Sequence, residues 1–202
     1  MAAQAAPLAA QEGERVLDLD GFDKIAVAGV YDLTVVVGPA FGVRIRGPES
    51  EIDKVIAEVR RETLVLDMRD RRGANRKHRG RSLEAMVTAP QLVALDVAGV
   101  ADARITGINS SLFKASMSGV GEMHLEGGCK QLSAEVSGVG ELDAKRLRCA
   151  NVWVQVSGIG SAGVFASEAV DASVSGMGDI RVIGSPKKVK KSGGLFADIS
   201  VE

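Results

Sequence analysis

From Leu92 onward apolar and polar residues alternate in short runs, as in Leu132-Ser133-Ala134-Glu135-Val136, Val152-Trp153-Val154-Gln155-Val156 and Val170-Asp171-Ala172-Ser173-Val174. A period of two is that of a β-strand with one face buried and the other in solvent. Each run leads into a phrase of small residue, glycine, apolar residue, small residue. The instances are Ala98-Gly99-Val100-Ala101, Ser118-Gly119-Val120-Gly121, Ser137-Gly138-Val139-Gly140, Ser157-Gly158-Ile159-Gly160 and Ser175-Gly176-Met177-Gly178, with a degenerate last one at Ser192-Gly193-Gly194. Alternation resumes after the phrase, in Glu122-Met123-His124-Leu125 and Asp179-Ile180-Arg181-Val182, so each unit reads strand, bend, strand. The leading glycines are 20, 19, 20, 18 and 17 residues apart.

Self-similarity at this period predicts a solenoid whose coils bury their apolar faces only against one another. Gly119, Gly121, Gly138, Gly140, Gly158, Gly160, Gly176 and Gly178 then have a structural task, because a bend stacked on a bend needs a missing Cβ or a positive φ. A phosphate-cradling glycine loop would be followed by a helix; here strands follow. The expected fold is all-β, a right-handed parallel β-helix-like solenoid of short Gly-rich coils, the hand following from the usual sense of parallel crossovers.

The N-terminal part is less regular. Phe22 to Val30 and Asp32 to Val37 form two strand-like runs, and Ala28-Gly29-Val30 echoes the later phrase. Ile52, Val55, Ile56 and Val59 recur at three and four residues, which predicts one short amphipathic helix over about 49–59. Thr63 to Met68 and Leu83 to Thr88 return to strand, and the polar segment between them is expected to bulge from a hairpin. The division that follows is a tail over 1–13, a capping β region over 14–97 and repeat coils over 98–202, with 14–202 one continuous domain.

Composition sharpens this picture in three ways. Hydrophobic residues make up 46% of 202 residues but aromatic residues only 3%, so the core is built from thin layers of Val, Leu, Ile and Ala. Lys plus Arg number 25 against 26 acidic residues, which removes any global electrostatic case for nucleic acid. No run approaches the roughly 20 apolar residues of a membrane span. Met1 to Gln11 is Ala-rich with the A-x-A texture of a signal-peptidase site; it reads as the remnant of an export signal, or as an ordinary tail of a cytosolic protein.

The run Phe22-Asp23-Lys24-Ile25-Ala26-Val27-Ala28-Gly29-Val30-Tyr31-Asp32-Leu33, then the helix and Leu64-Val65-Leu66, the Ala89-Pro90-Gln91-Leu92 step and the serial Ser-Gly-x-Gly-Asp/Glu phrases resemble the putative auto-transporter adhesin, head GIN domain, a bacterial domain of unknown function. The resemblance covers Phe22 to the C-terminus. It implies a right-handed parallel β-helix, export by a Gram-negative bacterium and no established catalytic residue. Ala98 and Ala101 stand where the later phrases have Ser and Gly.

Candidate chemistry lies in three places. Aligned phrases put Asp102, Glu122, Glu141, Ser161 and Asp179 at one equivalent position. Stacking would make them a ladder, in which Glu122 and Glu141 bind a cation such as Ca²⁺ or a sugar face, or remain a solvated edge that keeps the coils apart in solution. No metal site and no cofactor are expected. For a carbohydrate-active enzyme the ladder would supply the two acids, or Arg104 or His124, beside it, the basic proton acceptor that acts with Ca²⁺.

Cys129 and Cys149 each precede the next strand's first apolar residue by three positions. They should therefore stack in adjacent coils, as a disulfide or as two buried thiols. The loop Arg69 to Arg81 is strongly basic, and Arg71, Arg72, Arg76, Lys77 and Arg79 could grip envelope anions; without interleaved aromatics it reads equally as a solvated loop. The functional expectation is a non-catalytic exported envelope protein of the periplasm or cell surface, an adhesin-like module for polysaccharide or surface protein, with homo-oligomers open to it. A self-associating structural protein and a β-helix carbohydrate-active enzyme are the alternatives.

Overall fold

The computed structural model describes residues 12–69, 82–195 and 197–202; the Met1–Gln11 segment and the basic residues Arg71, Arg72, Arg76, Lys77 and Arg79 lie outside them. The chain enters through β1 (Glu12–Leu17), β2 (Lys24–Ala28), β3 (Val30–Val37) and β4 (Gly42–Pro48). It turns once through α1 (Glu49–Ile52) and continues through β5 (Val55–Arg60), β6 (Thr63–Met68), β7 (Leu83–Ala89) and β8 (Ala94–Val97). Four long strands follow, β9 (Val100–Met117), β10 (Val120–Val136), β11 (Val139–Val156) and β12 (Ile159–Val174), then β13 (Met177–Ile183), β14 (Lys188–Gly193) and β15 (Ala197–Val201).

Together they form a β-solenoid of about 5 turns. Each long strand bends at its middle and serves two faces. One face runs β1-β4-β7-β3-β9-β10-β11-β12-β13-β15; the other runs β5-β6-β2-β8, then the second halves of β9 to β12, and ends at β14. The long strands pair in parallel and in register within each face, Val120 on Val139 and Glu122 on Glu141, for example, with register shifts where they bend. Period-two alternation therefore becomes rows of stacked side chains. Leu33, Ala103, Met123, Leu142, Ala162 and Ile180 form one such row, all of it buried. Large and small members compensate along the axis, so this row fills its volume without aromatic residues, while Phe22, Tyr31 and Phe113 are buried elsewhere in the core.

The helix is shorter than the apolar spacing predicts. It ends at Ile52, and Val55–Arg60 is a strand antiparallel to β6. The stripe Ile52, Val55, Ile56, Val59 concealed a second period: Val55, Ala57 and Val59 pack toward the core as alternate residues of β5, and β-branched residues suit a pleated surface better than a helix. Arg61 and Glu62, with φ of 49° and 62°, make the two-residue hairpin turn into β6. The segment expected to bulge from a hairpin lies outside the described residues, but the strands that flank it are not hairpin partners. β6 pairs with β2 and β5, and β7 pairs with β3 and β4, so the two strands lie on different faces of the coil. At the other side of the predicted helix, β1 begins at Glu12, inside the stretch expected to be tail.

Coiling starts well before residue 98. β2 and β3 pair in parallel with β8 and β9 across some 70 residues of sequence, with Val30 on Val100 and Asp32 on Asp102. The β6 and β7 coil stacks on the other side of β2 and β3, and β1, β4 and β5 close that end with antiparallel pairing. Among the described residues no helix is long and apolar enough to cross a membrane.

Candidate functional site

The bends between coils carry the most regular surface of the molecule. In each Gly-x-Gly phrase the amide of the apolar residue donates to the carbonyl of the leading glycine one coil back: Val100 to Gly29 at 2.8 Å, Val120 to Gly99 at 2.9 Å, Val139 to Gly119 at 3.0 Å, Ile159 to Gly138 at 3.1 Å and Met177 to Gly158 at 3.0 Å. A Cβ on Gly119 would fall within the van der Waals envelope of the Gly99 carbonyl oxygen, and the same holds at Gly138, Gly158 and Gly176 against the glycine below. Glycine is required there by crowding between backbones, not by φ.

This ladder sets the apolar residue of every phrase at one outer corner. Val30, Val100, Val120, Val139, Ile159 and Met177 are consecutive partners and each is between 45% and 52% exposed. Six positions at about 4.8 Å a step make an aliphatic ridge roughly 24 Å long. Scattered apolar residues on a surface are ordinary; an unbroken line is not. The phrases are visible in the sequence, but nothing in the pattern says that their central residue points into solvent. That depends on how sharply the chain bends.

Two residues further along each strand, on the same side of the sheet, stand Asp32, Asp102, Glu122, Glu141, Ser161 and Asp179. The acidic ladder thus borders the ridge. Its charges are partly held: the Glu122 amide donates to Asp102 Oδ1 at 3.1 Å, and His124 Nε2 lies 3.4 Å from Glu122 Oε2. A shallow, nearly flat trough of about 620 Å³ runs along the ridge and touches Glu122, Glu141 and Asp179. Among the described residues no group of three or more His, Cys, Asp or Glu side chains is placed to hold a metal ion. Arg104 and His124 are ladder partners facing a hollow of about 290 Å³ shared with Asp32, Asp102 and Glu122.

At the opposite bend, Cys129 and Cys149 are ladder partners joined by a disulfide, with Cα atoms 4.6 Å apart. The basic cluster Lys188, Lys190 and Lys191 lies on β14, the outermost strand of its face, where cations discourage further strand pairing. Lys190 is also bonded to Asp171 at 2.8 Å.

Stacked coils with glycine-laddered bends and an extended, open outer surface define a β-solenoid, with no enclosed cleft at its most regular feature. The chain belongs to the family described as putative auto-transporter adhesin, head GIN domain, which it matches over residues 21–186. Among solved structures, a putative adhesin from Bacteroides fragilis is similar at a TM-score of 0.79 and 22% identity, over 96% of this chain and 98% of that one. A putative adhesin from Parabacteroides distasonis is similar at 0.53 and 17% identity, over 94% and 97%. A putative lipid binding protein from the same species gives 0.51 and 17%, over 94% and 96%. At these identities the likeness is one of fold. No curated protein matches the chain.

Proposed function

We propose that this protein is a non-catalytic, adhesin-like binding module of the cell envelope, exported to the periplasm or surface, which holds its partner along the aliphatic ridge and its carboxylate border. The line of six half-exposed aliphatic side chains carries this reading. Covering one such side chain contributes about 1 kcal/mol, so the six supply roughly 6 kcal/mol before the cost of association. A micromolar complex needs about 8 kcal/mol. One ridge therefore holds weakly, and firm attachment would rest on charge complementarity and on many copies acting together. The matching partner surface is a protein segment with apolar side chains beside basic ones.

Catalysis has less support. Glu122 and Glu141 project from an open, nearly flat surface, where neither desolvation nor a groove wall would tune one acid against the other or fix a sugar ring between them. A structural role is the second reading. Its specific support is that, among the described residues, β14 and β15 are outermost strands without the antiparallel cover that β4 receives from β1, and light scattering after size exclusion would reveal the resulting oligomer.

The test is a protein array probed with the wild type, with Val120→Ser/Val139→Ser/Ile159→Ser and with Glu122→Gln/Glu141→Gln. Retention of the wild type on proteins with basic, apolar segments, lost in the triple variant and weakened in the double one, supports the reading. A wild type retained nowhere, or a triple variant retained everywhere the wild type is, overturns it.

A further inference from the structure

On the other face of the coils, one ladder row of outward side chains runs Lys114, Ser133, Trp153, Asp171, Lys190. Four of its five members are polar. Packing therefore does not call for an aromatic residue at this height on the sheet, yet the chain places its only tryptophan there, 40% exposed. Among the described residues the indole Nε1–H has no hydrogen-bond partner and the ring has no aromatic or cationic neighbour stacked on it, unlike Phe22 against Phe41 and Arg148 over Phe165. The plate is presented, not used.

Its surroundings are those of a ligand that is apolar on its face and hydroxylated at its rim. Asn151 and Gln155 precede and follow Trp153 on the same side of β11, and Ser133 and Asp171 flank it on the neighbouring coils. A shallow groove of about 350 Å³ opens beside it, continued by Gln131 and Leu112. Amides and hydroxyls there can both donate and accept. Ser133 is small and leaves the ring's edge accessible from that side. Asp171 is neutralised by Lys190 at 2.8 Å, and Lys114 and Glu135 a step further out oppose each other in sign, so Lys188 at the end of the groove leaves the patch one positive charge, too little to select a polyanion.

We infer that the outer face around Trp153 is a binding site for neutral glycan chains. A pyranose ring lays its C–H face on the indole while its equatorial hydroxyls bond Asn151, Gln155 and Asp171. An aromatic plate with a few convergent polar groups is the usual economy of a shallow site. The parallel coils offer further amide-bearing positions along the axis, Gln131 beside Asn151, so a polymer lying along the solenoid would meet more than one contact. This site lies on the face away from the ridge row and does not depend on what the ridge binds.

The test uses affinity electrophoresis of the intact chain through gels containing neutral polymers (β-glucan, xylan, galactomannan) and, separately, alginate. Because Trp153 is the sole tryptophan, its fluorescence reports the same site in titrations with oligosaccharides of the retarding polymer. The expected result is retardation in at least one neutral gel, a saturable emission change, loss of affinity by about tenfold or more in Trp153→Ala, and partial recovery in Trp153→Phe. The substitutions sit on the solvent side, so circular dichroism should show the fold retained. Val120→Ser/Val139→Ser/Ile159→Ser should be retarded like the wild type, which separates this site from the ridge. No retardation of the wild type in any neutral gel, retardation by alginate alone, or retardation that persists in Trp153→Ala overturns the inference.

Discussion

Gly138→Ala isolates the crowding that builds the coil corner. A Cβ at Gly138 would overlap the Gly119 carbonyl oxygen and approach Gly119 C at 2.8 Å and Ser118 C at 3.0 Å. All three are backbone atoms, and they are tied into the corner ladder by Val139 N to Gly119 O at 3.0 Å and Ile159 N to Gly138 O at 3.1 Å. Relief requires the coils to separate locally. Overpacking of this kind costs about 2 kcal/mol and weakening of the two bonds about 1 more. The unfolded chain gives back roughly 0.5 kcal/mol, because alanine has less freedom to lose than glycine. The net loss is about 2.5 kcal/mol, which lowers the melting temperature of a chain this size by roughly 5–10 °C. Gly38→Ala is the control: nothing lies within 4 Å of a Cβ there and φ is not in the left-handed region, so only the unfolded-state gain remains and the melt should rise by about 1–3 °C. Thermal melts followed by circular dichroism, with urea titrations alongside, compare the two. If Gly138→Ala melts at or above the wild type, or if both variants shift equally, the corner is looser than its geometry implies and the account of the glycine ladder fails.

Reducing the Cys129–Cys149 bridge, which closes a separation of 20 residues, should cost about 3 kcal/mol; melts with and without reductant check the size, and free thiols found in the unfolded, unreduced chain would refute the pairing. Tyr31 is buried and its hydroxyl donates to the Asp67 carbonyl at 3.3 Å. Burial, and secondarily the Asp67 charge, hold its ionisation well above the ordinary 10.0. The unfolded chain therefore gives up this proton first, and the stability it contributes, whole below about pH 10, declines as pH rises beyond it. Urea midpoints at pH 8 and pH 11 should show this decline in the wild type and a shallower one in Tyr31→Phe; equal slopes would refute it. Replacing Arg71, Arg72, Arg76, Lys77 and Arg79 by Ser should abolish binding to a polyanion such as heparin at low salt while leaving the melt unchanged, and undiminished binding would clear the basic segment of that role.

The periodic part of this protein was legible because its determinants are local. Alternation at two, glycine pairs at intervals near 20 and the ladder partners Glu122 with Glu141 and Cys129 with Cys149 all follow from one repeat length, and stacking multiplies that length into a register. The N-terminal region was not legible in the same way. Whether Val55 to Val59 is helix or strand was decided by β6 offering an edge to pair with, and a short apolar stripe fits both periods. Likewise Val30 meets Val100 and Tyr31 meets Ala101 across 70 residues of chain, a choice made by which sheet edge was open and not by any neighbouring residue. Solvent exposure was decided last. Val120 is as apolar as Val136 and lies an even number of residues before it on the same strand, yet one sits on the outer ridge and the other in the core, because the opposite bend, between Leu125 and Leu132, changes which alternate residues face inward. The sequence by itself determined a glycine-laddered solenoid; only the tertiary structure determined which of its apolar residues are left for a partner.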